Sequence, residues 1–211
     1  PIGLFTLMLG GLSSAIWGAI ISIRYHHSSF KQLVRDFFQV KQAPLNYLLV
    51  LIFIGLDFLP QVFSGEMIIP TWYLPIILFV KALVFGGIEE IGWRYFFQST
   101  LQEKLTYLVS MLCTFVAWSL WHLLYFYIDG SLARIHLLPF LLGLLSNCFI
   151  LSAIYTKTRS LWLCVMTHAL INALSQLSST EENFGLSLVI KVLIILLAMR
   201  IASSSVEKVK V

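Results

Sequence analysis

Few residues in this chain combine reactive types with useful spacing, and those that do sit among apolar neighbours. Glu89, Glu90 and Arg94 lie in the stretch 86–94, Gly-Gly-Ile-Glu-Glu-Ile-Gly-Trp-Arg, at the end of a hydrophobic run. An ionisable group at membrane depth costs about 2.5–3.5 kcal/mol on insertion scales, so it usually pairs, faces a wet cavity or reacts. On a helix, Glu90 and Arg94 stand at i and i+4 with the acid first, the favourable order for neutralisation. Glu89 is turned by about 100° from Glu90. It has Trp93 rather than a base four residues on, and is the carboxylate left free to act.

Two further apolar stretches each carry polar groups. His122 follows Trp118 by four residues, and His168 and Asn172 form a second i, i+4 pair. Hydrolysis of a peptide bond needs an activated water, a donor for the oxyanion and a proton for the leaving amine. Glu89 is the candidate general base, and His122 would share the water or shuttle the proton. His168 and Asn172, one turn apart, can aim N–H groups at one spot, as an oxyanion requires. Glu90 and Arg94 are supports that fix the helix and screen Glu89.

Taken in order, Glu-Glu-x-x-x-Arg, aromatic-x-x-x-His and His-x-x-x-Asn on successive apolar segments resemble the CPBP family of intramembrane proteases. That family holds the CAAX-processing Rce1-type proteases and the bacterial Abi and lysostaphin-resistance-like proteins. The resemblance covers about 81–176, the motif core of what is expected to be a single integral-membrane protease domain over 1–211. It implies the same roles for Glu89, His122, His168 and Asn172. The family commonly has Phe four residues before the histidine; here a large aromatic is kept as Trp118. The resemblance further implies a peptide or lipidated-protein substrate at the membrane. For eukaryotic relatives it implies removal of the last three residues after a prenylated cysteine. For bacterial relatives it implies processing of signalling or bacteriocin-type peptides, or immunity to them.

Composition supplies the setting. The chain of 211 residues is 59% hydrophobic, 14% aromatic and 11% charged, whereas soluble domains run near 45–50% apolar and 25% charged. An integral, multi-pass membrane protein is expected. The net charge of +4 comes without a basic block interleaved with aromatics, so no nucleic-acid surface is expected. Cys113, Cys148 and Cys164 are odd in number, lie in apolar runs and form no C-x-x-C, which implies neither a disulfide framework nor a metal cluster.

The elements that must position the motifs are read as an all-α, polytopic helical bundle. Spans are expected over about 2–23, 45–63, 71–98, 105–128, 135–155, 161–177 and 186–201, the third as one long tilted helix ending in the Glu-Glu motif. That makes seven spans, or eight if another precedes Pro1. The segment 24–41 is read as a basic loop, with His26 and His27 as solvated loop residues. Lysine and arginine concentrate after spans one, three and five and in the tail with Lys208 and Lys210. Glu66, Asp129, Glu181 and Glu182 mark the alternate loops. The positive-inside rule then puts the C-terminus in the cytoplasm and the N-terminus outside. The small size, without long loops, leans towards a bacterial cell membrane. Counting about 1.5 Å per residue sets His122 about 26 Å into its span and Glu89 about 14 Å from the end of its own, so tilt is needed to bring them together. Lys81, in mid-span, is open to pairing with a carboxylate or to snorkelling.

Each motif also has a structural reading: Glu90–Arg94 as an ion pair, His122 as a packed ring, and His168/Asn172 as interhelical hydrogen-bond glue worth about 0.6 kcal/mol. Metal is the mechanistic alternative. Glu89, His122 and His168 could ligate Zn²⁺ with an open position for water, but there is no H-E-x-x-H and Asn172 is a poor zinc ligand. A glutamate-type protease without an obligatory cofactor is the expectation, with zinc possible. From other classes, the rivals are a non-catalytic membrane partner that regulates a sensor kinase or peptide immunity, and a small transporter.

Overall fold

The computed structural model describes residues 2–25, 28–64, 67, 69–178 and 184–207, with side chains described from residue 10 to residue 205 within these ranges. His26, His27, Glu66, Glu181, Glu182, Lys208 and Lys210 lie outside the described residues, so the loop readings that rest on them do too. In order, the helices are α1 (Ile2–Tyr25), α2 (Phe30–Phe37), α3 (Pro44–Asp57), α4 (Leu59–Phe63) and α5 (Leu74–Phe85). A 3₁₀ turn (Gly87–Glu89) and a π-helix (Ile91–Gln98) follow. Next come α6 (Ser99–Gln102), α7 (Tyr107–Ile128), a 3₁₀ turn (Leu132–Arg134), α8 (Leu137–Thr158), α9 (Leu161–Ser175) and α10 (Phe184–Glu207).

The caps explain several boundaries. Thr106 and Ser160 stand in extended conformation, and their hydroxyls accept from the backbone N–H of Val109 and Leu163, starting α7 and α9. Such caps satisfy N–H groups that have no partner within the helix. Arg159 ends α8 at φ 52°, in the left-handed region. It is followed at once by the Ser160 cap, so α8 and α9 form a tight helical hairpin. The core is built round α8, whose residues from Cys148 to Tyr155 are all buried, packed against α7, α9 and α10.

Among the described residues, three helices are long and apolar enough to cross a membrane: Tyr107–Ile128, Leu137–Thr158 and the stretch Phe184–Ser205 within α10. Pro44–Asp57 and Leu161–Ser175 are shorter apolar helices. Together with the many exposed large hydrophobic side chains, this is a helical membrane protein, in line with the fold class expected. The count of seven spans is not confirmed among the described residues. The 45–63 segment divides at Phe58, with Pro60 in the first turn of α4, where its missing N–H costs nothing. The long tilted helix of 71–98 breaks at Gly86–Gly87 into three conformations. The basic stretch 24–41 is not wholly loop, since it holds α2, capped by Ser29. Irregular backbone at membrane depth is tolerated where protein buries it or a cavity is lined by it. Gly87, Ile91, Gly92, Trp93 and Arg94 are accordingly buried.

Candidate active site

The break in the third segment has a steric cause. A Cβ on Gly87 would stand 2.8 Å from the Val165 carbonyl oxygen of α9, and one on Gly92 would strike the Ser14 carbonyl of α1. A Cβ on Gly18 would come within 2.6 Å of Gly92 Cα. These glycines bring the motif backbone against α9 on one side and α1 on the other. The π-helix that follows is a form found mostly as single turns and often at functional sites; here it runs over Ile91–Gln98 and directs Trp93 and Arg94 inward.

The two carboxylates meet different partners. Glu90, fully buried, places Oε1 at 3.2 Å from Arg94 Nη1 and 2.7 Å from His168 Nδ1. The expected Glu90–Arg94 pair is thus present, and it also anchors a residue of the third motif. The Arg94 guanidinium lies 4.4 Å from the centre of the Trp118 ring, a cation–π arrangement. Glu89 is also buried, and its Oε2 accepts hydrogen bonds from the indole N–H groups of Trp93 and Trp118, each at 3.3 Å. The free carboxylate of the sequence reading is therefore half-held: Oε2 is committed to two indoles, while Oε1 makes no hydrogen bond to a described residue.

The histidine tautomers follow from their acceptors. His122 Nδ1 is 2.9 Å from the Trp118 carbonyl oxygen, which can only accept, so Nδ1 carries the proton and a neutral ring has its lone pair at Nε2. His168 Nδ1 faces the Glu90 carboxylate paired with Arg94, so it too donates from Nδ1. With Nδ1 donating, Nε2 of the neutral ring is a lone pair, and a donor there requires a second ring proton. Asn172, one turn on, fits its amide against Gly86, where a Cβ would collide with Nδ2.

His122, His168 and Asn172 line one cavity of about 690 Å³, together with Trp118. Glu89 is not among its lining residues; it lies behind Trp118, whose indole it accepts from. The centres of the His122 and His168 rings stand 5.2 and 5.4 Å from that of Trp118. The depth mismatch anticipated by counting residues is thus absent: Trp118 joins Glu89 to both histidines.

The cavity has a second polar group that sequence reasoning missed. Asp57 at the end of α3 and Lys191 in α10 line it, with Lys191 Nζ 3.8 Å from Asp57 Oδ1, and Gln61 of α4 lies beside them. The signal was available, since both charges sit inside apolar runs, as Glu89 does. Lys81 is exposed and forms no ion pair with a described carboxylate. Among the described residues, no group of three or more His, Cys, Asp or Glu could hold a metal ion. The set Glu89, His122 and His168 does not form such a group, and its Oε2 and Nδ1 atoms are taken by protein partners.

Fold and site together define a helical membrane protein in which two histidines and an asparagine line one cavity and a buried acid is tied to it through Trp118. Residues 70–174 match the family model described as "Rce1-like: Type II CAAX prenyl endopeptidase Rce1-like". The chain is also similar to the "CAAX prenyl protease 2" of Methanococcus maripaludis, at 25% identity over 84% of this chain and 74% of that protein. The chain belongs to the Rce1-like family of intramembrane endopeptidases.

Proposed function

We propose that this protein is an intramembrane endopeptidase of the glutamate type that cleaves a membrane-presented peptide or prenylated protein in the cavity beside Trp118. The observation that carries the reading is that His122, His168 and Asn172 line one cavity while a Trp118 hydrogen bond ties Glu89 to it. Glu89, through Oε1, takes a proton from a water held with His122 Nε2. The water oxygen adds to the scissile carbonyl carbon, and the negative charge that forms on the carbonyl oxygen is met by Asn172 Nδ2–H and His168 Nε2–H. The proton then passes to the amide nitrogen, the C–N bond breaks, and a carboxylate and an amine leave. Glu90 and Arg94 are positioning residues: Glu90 holds His168 by Nδ1, and Arg94 holds Glu90 in turn. No step is assigned to a metal, because Glu89, His122 and His168 do not form a ligand group.

The "CAAX prenyl protease 2" name of the archaeal relative supports a prenylated substrate and a cut on the C-terminal side of the modified cysteine. The membrane orientation is proposed with the C-terminus in the cytoplasm, from the basic residues that follow the first, third and fifth apolar segments. The test is wild-type protein in liposomes with an S-farnesyl-cysteinyl tripeptide acid, the products read by mass spectrometry. The reading predicts release of the tripeptide, and a kcat lower by about 10²–10³ in Asn172→Ala, the cost of one oxyanion donor. No cleavage, or cleavage unchanged in Asn172→Ala, overturns it.

A further inference from the structure

The cavity that His122, His168 and Asn172 line is also lined by an ion pair that the peptidase mechanism does not use. Lys191 and Asp57 come from different helices, α10 and α3, and both face this cavity. Their separation of 3.8 Å exceeds hydrogen-bond distance, and Lys191 makes no hydrogen bond with a described residue. Its side chain is 16% exposed, against 8% for Asp57. An ion pair serving stability alone at this depth recovers its desolvation cost only through close, fully hydrogen-bonded geometry. At 3.8 Å the two charges make no direct hydrogen bond to each other, and both sit on the cavity wall.

We propose that Lys191 is a substrate-recognition residue, and that the Asp57–Lys191 end of the cavity binds a carboxylate of the bound peptide. An ammonium has three donors on a flexible four-carbon stem, so Lys191 can turn from Asp57 towards an incoming anion without leaving the cavity. Asp57 keeps the charge balanced when the cavity holds no ligand. A volume of about 690 Å³ falls within the range of sites that enclose small ligands, enough for a short peptide tail between the two polar ends. The inference rests on the peptidase reading and adds how the substrate is measured: the distance from the Asn172 end to the ammonium sets how many residues follow the scissile bond.

The carboxylate could be the chain terminus or an acidic side chain, and three probes separate them: an S-farnesyl-cysteinyl tripeptide as free acid, the same peptide as C-terminal amide, and an amide ending in glutamate. Binding is measured by calorimetry on the full chain in detergent, and cleavage in parallel. The expected result is at least tenfold tighter binding of the free acid than of the amide. Recovery by the glutamate amide assigns the site to a side-chain carboxylate; no recovery assigns it to the terminus. Asp57→Asn/Lys191→Met removes both charges together, leaving no orphan, and should make acid and amide equal. Equal or undetectable binding of acid and amide to the wild-type protein overturns the proposal. Preferential binding without cleavage leaves the carboxylate site standing and refutes the peptidase reading, whereas cleavage without preference does the reverse.

Discussion

Replacing Arg94 by methionine tests whether the Glu90–Arg94–His168 cluster is a coupled support. Arg94 is fully buried, its Nη1 stands 3.2 Å from Glu90 Oε1, and its guanidinium lies 4.4 Å from the Trp118 ring. Arg94→Met deletes the cation and leaves a buried carboxylate whose remaining partner in that contact set is His168, at 2.7 Å. Removing one member of a buried pair costs about 3–5 kcal/mol, because the other charge stays buried and uncompensated. For a chain of this length that corresponds to a fall of roughly 6–20 °C in Tm, on the scale of about 2–4 °C per kcal/mol. Adding Glu90→Gln removes the stranded charge, since replacing both partners by neutral groups of similar shape is close to neutral. The double variant is therefore expected to regain at least half of the loss. The assay is thermal unfolding in detergent, followed by the intrinsic fluorescence of the tryptophans, one of which lies under the guanidinium. A single variant within about 1 kcal/mol of wild type, or a double variant less stable than the single, refutes the coupling.

Two further outcomes follow. Gly87→Ala and Gly92→Ala each drive a methyl into a carbonyl of a neighbouring helix, and each should lower stability by about 1–3 kcal/mol, the range for overpacking; Gly143→Ala, inside α8 where a Cβ would meet nothing within 4 Å, is the control that should hold or raise Tm, since Ala is the better helix former. Treatment with a strong chelator should leave peptide cleavage within twofold of the untreated protein; loss of cleavage restored by zinc would replace the glutamate mechanism with a metal one.

The sequence made the chemistry more legible than the path of the backbone. The cost of charge in an apolar run singled out Glu89, Glu90, Arg94, His122 and His168, and the i, i+4 rule paired Glu90 with Arg94, as the structure has them. Helical periodicity could not foresee that Gly86–Gly87 would end an α-helix and that a π-helix would follow. That outcome depends on the close approach of Val165 and Ser14, which are distant in sequence. The same limit hid the partners of Glu89. Trp93 was visible at i+4, but Trp118 lies on α7, and its indole reaches Glu89 through packing that spacing along one helix does not encode. Asp57 and Lys191 were overlooked for a different reason: each is a lone charge without a motif, and only the folded chain sets the two on one cavity wall.

The most direct measurement is turnover of the farnesylated reporter by Glu89→Gln. The amide is nearly isosteric with the acid and can still accept from the Trp93 and Trp118 indoles, so the cavity should keep its shape and Tm should hold. If Glu89 is the group that takes the proton from water, kcat falls by at least 10², the lower end of what a positioned base contributes, while reporter binding is kept. Cleavage at the wild-type rate by a folded Glu89→Gln protein would contradict the account.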